Sequence, residues 1–198
     1  MSNNHFFAMM SRMKYIKRWA LMRNNDEENI SEHSLEVAMI AHALAVISKV
    51  RLGKDINPDR AALIGMYHDT TEIITGDMPT PVKYFNPDIV KAYKDVENIA
   101  AGKLLEMLPE DMRQYYESVY YKNDEEEYIW KLVKAADKLS ALIKCIREEK
   151  MGNFEFTSAY KSTKKSLEEM GLREVEIFEE EFLGSFALTL DELQGYSK

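Results

Sequence analysis

The sequence predicts an all-α protein, and three observations lead to that class. Apolar residues recur at helical spacing along nearly the whole chain. No alternation of polar and apolar residues is long enough to indicate a β-strand. Capping residues, prolines and glycines stand where helices would begin or end. A chain of 198 residues suits one sizeable core, so we expect a single domain over residues 1–198, folded as a compact helical bundle.

The first two predicted helices are bounded by capping signals. Ser31 can cap a helix that runs to about Leu52, before Gly53. Asn57 then offers a capping side chain, and Pro58 suits the first position of the next helix. The residues expected on that second helix are Ala61, Ala62, Ile64, Gly65 and His68.

A loop and several further helices should follow. Gly76–Pro81 should form a rigid loop, because proline removes a backbone donor and biases the residue before it towards extended conformations. Prolines, acidic residues and glycines mark the later helix boundaries. These boundaries are expected near Pro87, Leu108, Pro109, Asp124, Gly152 and Gly171.

Charge and composition exclude several classes of function. The net charge of −8 argues against binding of a nucleic-acid polymer, because such binding depends on Lys and Arg that neutralise phosphates. Residues 1–25 contain basic side chains and no Asp or Glu, which is enough for a small anion. No stretch approaches the ~18 uninterrupted apolar residues of a membrane helix.

The single cysteine of the chain helps to predict the cellular compartment in which the protein works. Cys145 has no second cysteine for an internal disulfide, and we expect it to be a small buried hydrophobe on a helix. The first residues lack the basic start and apolar core of a secretory signal. Both observations favour a reducing cytoplasm.

The pair His68-Asp69, with His33 before it and Asp137 after it, predicts a metal site. Two imidazoles and two carboxylates suit first-row ions such as Mn, Co, Fe, Ni or Zn better than Mg, which prefers oxygen ligands. Four protein ligands leave positions for water and a substrate oxygen, as in a hydrolase. An isolated His-Asp pair is usually a surface or capping pair. This pair, however, ends an apolar helical segment, where an unsatisfied carboxylate would be costly.

Helical geometry separates His33 from His42. Nine positions at ~100° each leave the two side chains ~180° apart on one helix. Since His33 shares its side with core residues, metal ligation is favoured for it and a structural role for His42. Asp137 stays open at this point. Its small neighbours leave room for a ligand, whereas Lys134 and Lys138 could instead pair with it on the surface.

Glu72 and the pair Arg18-Trp19 are weaker candidates by themselves. Glu72 would share a face with His68 if the helix continues through Thr71; there it could shuttle a proton or stand solvated. Arg18 offers a planar fork for phosphate oxygens and Trp19 a rigid wall for a ring. The alternative is a solvated arginine beside a core tryptophan at the end of an amphipathic helix.

These residues resemble a known family. His33, His68-Asp69 and Asp137 match the H…HD…D pattern of the HD-domain metal-dependent phosphohydrolases. The Arg-Trp pair and the Gly-Asp-x-Pro-Thr-Pro loop make the chain similar, over nearly its whole length, to the bacterial 5'-deoxynucleotidases of the YfbR type. The segments that carry this likeness are His5–Ala8, Arg18–Arg23, Asn29–Leu35, Met66–Asp69 and Gly76–Asn86.

The resemblance implies hydrolysis of deoxyribonucleoside 5'-monophosphates to deoxynucleoside and phosphate, with selection against ribonucleotides. It also implies a homodimer with one divalent ion per subunit, Co, Mn or a similar first-row ion. The roles it implies are metal ligation for His33, His68, Asp69 and Asp137, catalysis for Glu72 and Arg18, and substrate binding for Arg18, Trp19, Asp77 and Thr80.

Two other classes of function remain open. Another HD-type enzyme could act on a triphosphorylated nucleotide, or on a cyclic one as a phosphodiesterase. A second metal would favour the latter, although only His5 and His42 remain as further imidazoles. A non-catalytic helical protein that binds nucleotides could keep the metal for structure. Such a protein would not need an acid such as Glu72 and a phosphate-binding base such as Arg18 near the ion.

Overall fold

The protein is a bundle of helices, shown by a computed structural model that describes residues 4–195. Within that range no β-strand is present, and the predicted all-α class is confirmed. The helices are α1 (Phe6–Met10), α2 (Ile30–Leu52), α3 (Pro58–Tyr67), α4 (Glu72–Thr75), α5 (Thr80–Lys83), α6 (Pro87–Glu106), α7 (Glu110–Tyr120), α8 (Glu127–Lys150), α9 (Thr157–Met170), α10 (Arg173–Glu181) and α11 (Leu190–Leu193). Short 3-10 turns lie at Met13–Tyr15, Asp124–Glu126, Phe154–Phe156 and Leu183–Ala187.

The core is built around α2, which packs against α3, α8 and α10. Buried residues occur on most sides of α2, as expected for a helix enclosed by others. A smaller apolar cluster joins α1 to the end of α6. Side chains that fill the main core include Val37, Leu44, Ile64, Leu132, Leu139, Leu142 and Val175. The single domain expected over residues 1–198 stays a prediction.

The helices α2 and α3 approach each other unusually closely at Gly65. A methyl group at this position would lie 2.9 Å from the Cα atom of Ala38. Any larger residue would therefore force the two helices apart. The absence of a side chain at Gly65 brings the end of α3 against the first half of α2.

The start of α2 differs from the prediction. The capping residue is Asn29, not Ser31: its side chain accepts hydrogen bonds from the N–H groups of Ser31 and Glu32, and the Glu32 side chain accepts one from the N–H of Asn29. This reciprocal capping box satisfies more orphan donors than a lone serine can. The predicted end is confirmed, since Gly53 adopts the left-handed conformation.

The second helix begins as predicted, with Asn57 as cap and Pro58 first, but it ends earlier. Helix α3 stops at Tyr67, and Glu72 begins a separate short helix after a turn. His68, expected on the second helix, is its C-terminal cap, and the condition that this helix continue through Thr71 is not met.

The predicted loop at Gly76–Pro81 is also shorter than expected. Its first four residues are irregular, but Thr80 begins α5 and Pro81 lies in the first helical turn. Proline is tolerated there because the backbone N–H groups of a first turn have no intrahelical acceptor. The later boundaries agree with the prediction to within a few residues.

Cys145 lies in the core, whereas His42 lies at the surface. Cys145 is buried on α8, as predicted. His42 is 45% exposed and faces Asp59 at 3.7 Å, on the side of α2 away from His33.

Within residues 4–195, no helix combines the length and apolar character needed to cross a membrane.

A buried carboxylate ties the segment before α2 to the end of α8. Glu148 accepts hydrogen bonds from the backbone N–H groups of Asn25 and Asp26 at 3.0 and 3.1 Å. The side chains of Lys144 and Asn153 donate to it as well. Burial raises the pKa of Glu148, but these hydrogen bonds outweigh burial and hold the pKa at about 2. The charged carboxylate is therefore part of the folded structure.

We expect Glu148→Gln to lower the free energy of unfolding at neutral pH by on the order of 2 to 3 kcal/mol. Because the folded-state pKa is depressed, this stabilisation is present above the ordinary pKa of 4.5 and is lost as the pH falls through about 2. Urea unfolding across that range should show a steeper loss of stability in the wild type than in the variant. Glu149→Gln, at the exposed neighbouring position, is the control. A parallel decline in wild type and Glu148→Gln would contradict the assignment.

Candidate metal centre and active site

Four side chains from three parts of the bundle converge on one point. His33 lies on α2, His68 and Asp69 follow α3, and Asp137 lies on α8. The Nε2 atom of His33 is 3.1 Å from Asp137 Oδ1 and 3.5 Å from Asp69 Oδ2. Ligand atoms of His33, His68 and Asp69 lie within 4.8 Å of one another, a spacing that could hold a metal ion. Asp137 joins this group through His33 and points into the cluster.

His68 presents a bare ring nitrogen to this cluster. Its Nδ1 atom lies 2.7 Å from the carbonyl oxygen of Gly65. Because a carbonyl oxygen only accepts, Nδ1 carries the proton in this contact. The Nε2 atom is buried, has no hydrogen-bond partner among the described residues, and lies 3.1 Å from Asp69 Oδ2. A lone pair facing a carboxylate at this distance is favourable only if a cation or a proton lies between them.

The ring of His33 is held from its other side. Ser140 Oγ lies 3.1 Å from Nδ1 and donates its own hydrogen to Glu36 at 2.6 Å. The Ser140 oxygen can therefore only accept from Nδ1–H, and Nε2 is the ring nitrogen that faces the carboxylates. Ser140 lies one helical turn after Asp137, and Glu36 lies one turn after His33; no role for either was predicted from the sequence.

Charges within the cluster shift the pKa values of its members. Burial lowers the pKa of His33, but hydrogen bonds with Asp137 and Glu28 help to raise it to about 9. Burial would raise the pKa of Asp137, yet the hydrogen bond with His33 holds it at about 2. The pKa of Asp69 is also lowered, because the charges of the two histidines help to outweigh its burial. The carboxylates are thus charged and favour a cation among them.

Glu72 lies beside this cluster and is buried, which excludes the solvated alternative. Its Oε2 atom has no hydrogen-bond partner among the described residues. Burial, followed by repulsion from Asp69 and Asp77, raises the pKa of Glu72 to about 10. The carboxyl group therefore holds a proton at neutral pH when no metal is bound.

Arg18 reaches the cluster from the segment before α2. Its Nη1 atom is 3.4 Å from Asp69 Oδ2, and its Nε atom donates to Glu28 Oε1 at 2.8 Å. Although burial lowers its pKa, the charges of Asp69, Asp137 and Glu28 raise it further above the ordinary value. The guanidinium is mostly buried and charged, so the alternative of a solvated arginine is excluded.

The alternative of a core tryptophan placed Trp19 at the end of an amphipathic helix, but Trp19 does not lie on a helix. It adopts a left-handed backbone with φ of 59°, a conformation that non-glycine residues rarely adopt. Its backbone lies close enough to Asp77 to lower the pKa of that carboxyl group, but burial outweighs this effect and raises the pKa. The indole ring packs 5.3 Å from the ring of Phe156, and its Nε1 atom is buried without a hydrogen-bond partner in the described chain. Arg18, Trp19 and Asp77 therefore lie together.

Thr80, the remaining predicted substrate-binding residue, lies at the first position of α5 and is exposed. It lines an open cleft of about 630 Å³ that runs along α8. Tyr84 and Lys138 also line this cleft, and Lys138 directly follows Asp137. None of His33, His68, Asp69 and Asp137 is among the residues that line this cleft.

A bundle of helices with His, His-Asp and Asp at its centre defines the class of the HD-domain phosphohydrolases. An HD-domain phosphohydrolase from Listeria innocua has the same fold, with a TM-score of 0.81 and 21% identity over 98% of this chain and 93% of that one. The cyanophage S-2L HD phosphohydrolase DatZ, solved with dA and one catalytic Zn²⁺ ion, has a TM-score of 0.59 and 19% identity over 90% of this chain and 96% of that one.

The chain belongs to the YfbR-like 5'-deoxynucleotidase family, whose sequence model matches residues 5–186. A relative named 5'-deoxynucleotidase from Erwinia tasmaniensis is 48% identical over 193 residues, which covers 98% of each chain. The family resemblance found in the sequence is therefore confirmed.

Proposed function

We propose that this protein hydrolyses deoxyribonucleoside 5'-monophosphates to deoxynucleoside and phosphate, and selects against ribonucleotides. The observation that carries the proposal is the convergence of two imidazole Nε2 atoms and two carboxylates beside Arg18 and Glu72. The names of the family and of its relatives give the substrate class.

His33, His68, Asp69 and Asp137 would hold one divalent ion, Co, Mn or a similar first-row ion. The residues fit such an ion, because the orphaned Nε2 atom of His68 faces a charged carboxylate across 3.1 Å. The Zn²⁺ ion of the cyanophage relative is consistent with this donor set. When bound, the ion would polarise a phosphate oxygen and lower the pKa of a bound water.

The other side chains would bind the phosphate and move a proton. Arg18 is charged and lies 3.4 Å from Asp69, so it can offset the charge that builds on the equatorial phosphate oxygens. Glu72 has a buried oxygen without a partner beside the cluster, which suits it to exchange a proton as the sugar 5'-oxygen leaves.

Trp19 and Asp77 would border the sugar, and Thr80 would also contact the substrate. If the indole of Trp19 packs where a 2'-hydroxyl would project, that hydroxyl either clashes or is buried without a partner. An unsatisfied hydroxyl costs ~1 to 3 kcal/mol, which corresponds to a roughly ten- to two-hundred-fold preference for deoxyribose.

We also propose that the protein works in the cytoplasm, which the lone Cys145 favours, and that it forms a homodimer, which the family resemblance implies. The rival phosphodiesterase would need a second metal site. His42 faces away from the cluster and pairs with Asp59, so it does not contribute to one.

The activity is tested by phosphate release from deoxy- and ribonucleoside 5'- and 3'-monophosphates. We expect release from the deoxyribonucleoside 5'-monophosphates, loss of activity with a chelator, and recovery with Co or Mn. Mg and Zn are compared in the same assay. Pure protein that releases no phosphate from any of these esters, whichever ion is supplied, would refute the proposed function.

Glu72→Gln should lower kcat by roughly a hundred- to ten-thousand-fold, because the amide cannot exchange a proton. The KM for the same nucleotide should change little, since Arg18 and the metal ligands remain. Steady-state kinetics with Glu149→Gln as an exposed control measure both constants. An unchanged kcat in Glu72→Gln would remove Glu72 from the mechanism.

Trp19→Ala should reduce the ratio of kcat/KM for a deoxyribonucleotide to that for the matching ribonucleotide by roughly ten-fold or more. The reason is that alanine leaves space for the 2'-hydroxyl and for water to hydrate it. The two substrates are compared on the same enzyme preparation, so a general loss of activity cancels in the ratio. The steric account is wrong if the ratio stays at its wild-type value.

A further inference from the structure

One carboxylate oxygen touches both the arginine and a histidine of the centre. Glu28 Oε1 accepts a hydrogen bond from Arg18 Nε at 2.8 Å and lies 3.3 Å from His33 Nδ1. The Glu28 side chain is 15% exposed, so water competes little for this oxygen. No role for Glu28 was predicted from the sequence.

The backbone holds Arg18 and Glu28 opposite each other. Lys17 and Asn29 form an isolated antiparallel bridge. In this bridge the Arg18 N–H donates to the Glu28 carbonyl at 3.0 Å. Asn29 is also the cap of α2, and His33 lies in the next turn of that helix. Glu28 therefore links Arg18 to His33 through a hydrogen bond on one side and a 3.3 Å contact with Nδ1 on the other.

The contact also bears on how His33 is oriented. The hydroxyl of Ser140 donates to Glu36, so its oxygen and Glu28 Oε1 are both acceptors beside Nδ1. Two acceptors at Nδ1–H keep the lone pair on Nε2, where the metal would bind, and fix the plane of the ring. Movement of Glu28 would therefore disturb the ring directly.

We infer that Glu28 is a positioning residue that joins the phosphate-binding arginine to the metal-ligating histidine. The inference rests on the proposed function for the roles of Arg18 and His33. The guanidinium of Arg18 holds the Glu28 carboxylate in the position where it contacts His33 Nδ1–H. In the same way, the contact with His33 holds the carboxylate in the position where it accepts from Arg18. Such a link is reciprocal, so a change at Arg18 should be felt at the metal centre through Glu28.

The test is a double-mutant cycle on Co²⁺ affinity, measured by titration of metal-free protein without nucleotide. Glu28→Gln should weaken Co²⁺ binding by roughly ten- to a hundred-fold. Arg18→Lys keeps the positive charge but loses the Nε–H donor, and should weaken Co²⁺ binding by roughly three- to ten-fold. In the Glu28→Gln background, Arg18→Lys should weaken Co²⁺ binding by less than it does in the wild type, because only its direct contact with Asp69 at 3.4 Å remains to be disturbed.

The control is Glu27→Gln, at an exposed neighbour that pairs with Lys17. It should bind Co²⁺ as the wild type does. Thermal unfolding of each metal-free variant shows whether that variant folds. If Glu28→Gln does not fold, Arg18→Lys still tests the contact between Arg18 and Glu28. The inference is overturned if Glu28→Gln binds Co²⁺ within two-fold of the control, or if the two substitutions act independently. If the wild-type enzyme is active and one of these two results is obtained, only the role of Glu28 is refuted. If the wild type binds no Co²⁺, the proposed metal centre is refuted as well.

Discussion

The close packing of α2 against α3 is the constraint on which the site depends. A methyl group at Gly65 would lie 2.9 Å from the Cα atom of Ala38, so the two backbones are almost in contact. At this separation the rings of His33 and His68 stand 5.3 Å apart. Helix α8 then contributes Asp137 from a third direction. Carboxylates that would be costly in an apolar core become a favourable environment for a cation because several are gathered at one point.

Much of this arrangement could be predicted from the sequence, because its signals are local. Helical spacing gives the all-α class, and the position of His33 among apolar residues shows that it faces the core. The cap and proline at Asn57 and Pro58 locate the start of α3 and so the end that carries His68. The helical spacing did not predict by itself that Asp137 lies with His33, His68 and Asp69. A surface ion pair of Asp137 with Lys134 or Lys138 was equally compatible with that spacing.

What the sequence did not predict depends on contacts between distant segments. The bridge between Lys17 and Asn29 leaves no periodic signal, so the position of Glu28 beside His33 was missed. Trp19 has a left-handed backbone, and its carbonyl oxygen accepts hydrogen bonds from Met22 and Asn24; tryptophan by itself rarely adopts this conformation, so the sequence did not indicate it. The early end of α3 places Glu72 on a separate helix, yet the turn still brings it beside Asp69.

The backbone of Trp19 also has a consequence for how this position tolerates change. A left-handed conformation is easy for glycine and costs other residues on the order of 1 kcal/mol. Glycine at residue 19 would relieve this strain but would remove the indole beside Phe156, whose apolar packing offsets more than the ~1 kcal/mol of backbone strain. The packing of the indole therefore holds residue 19 in a backbone conformation that tryptophan by itself would avoid.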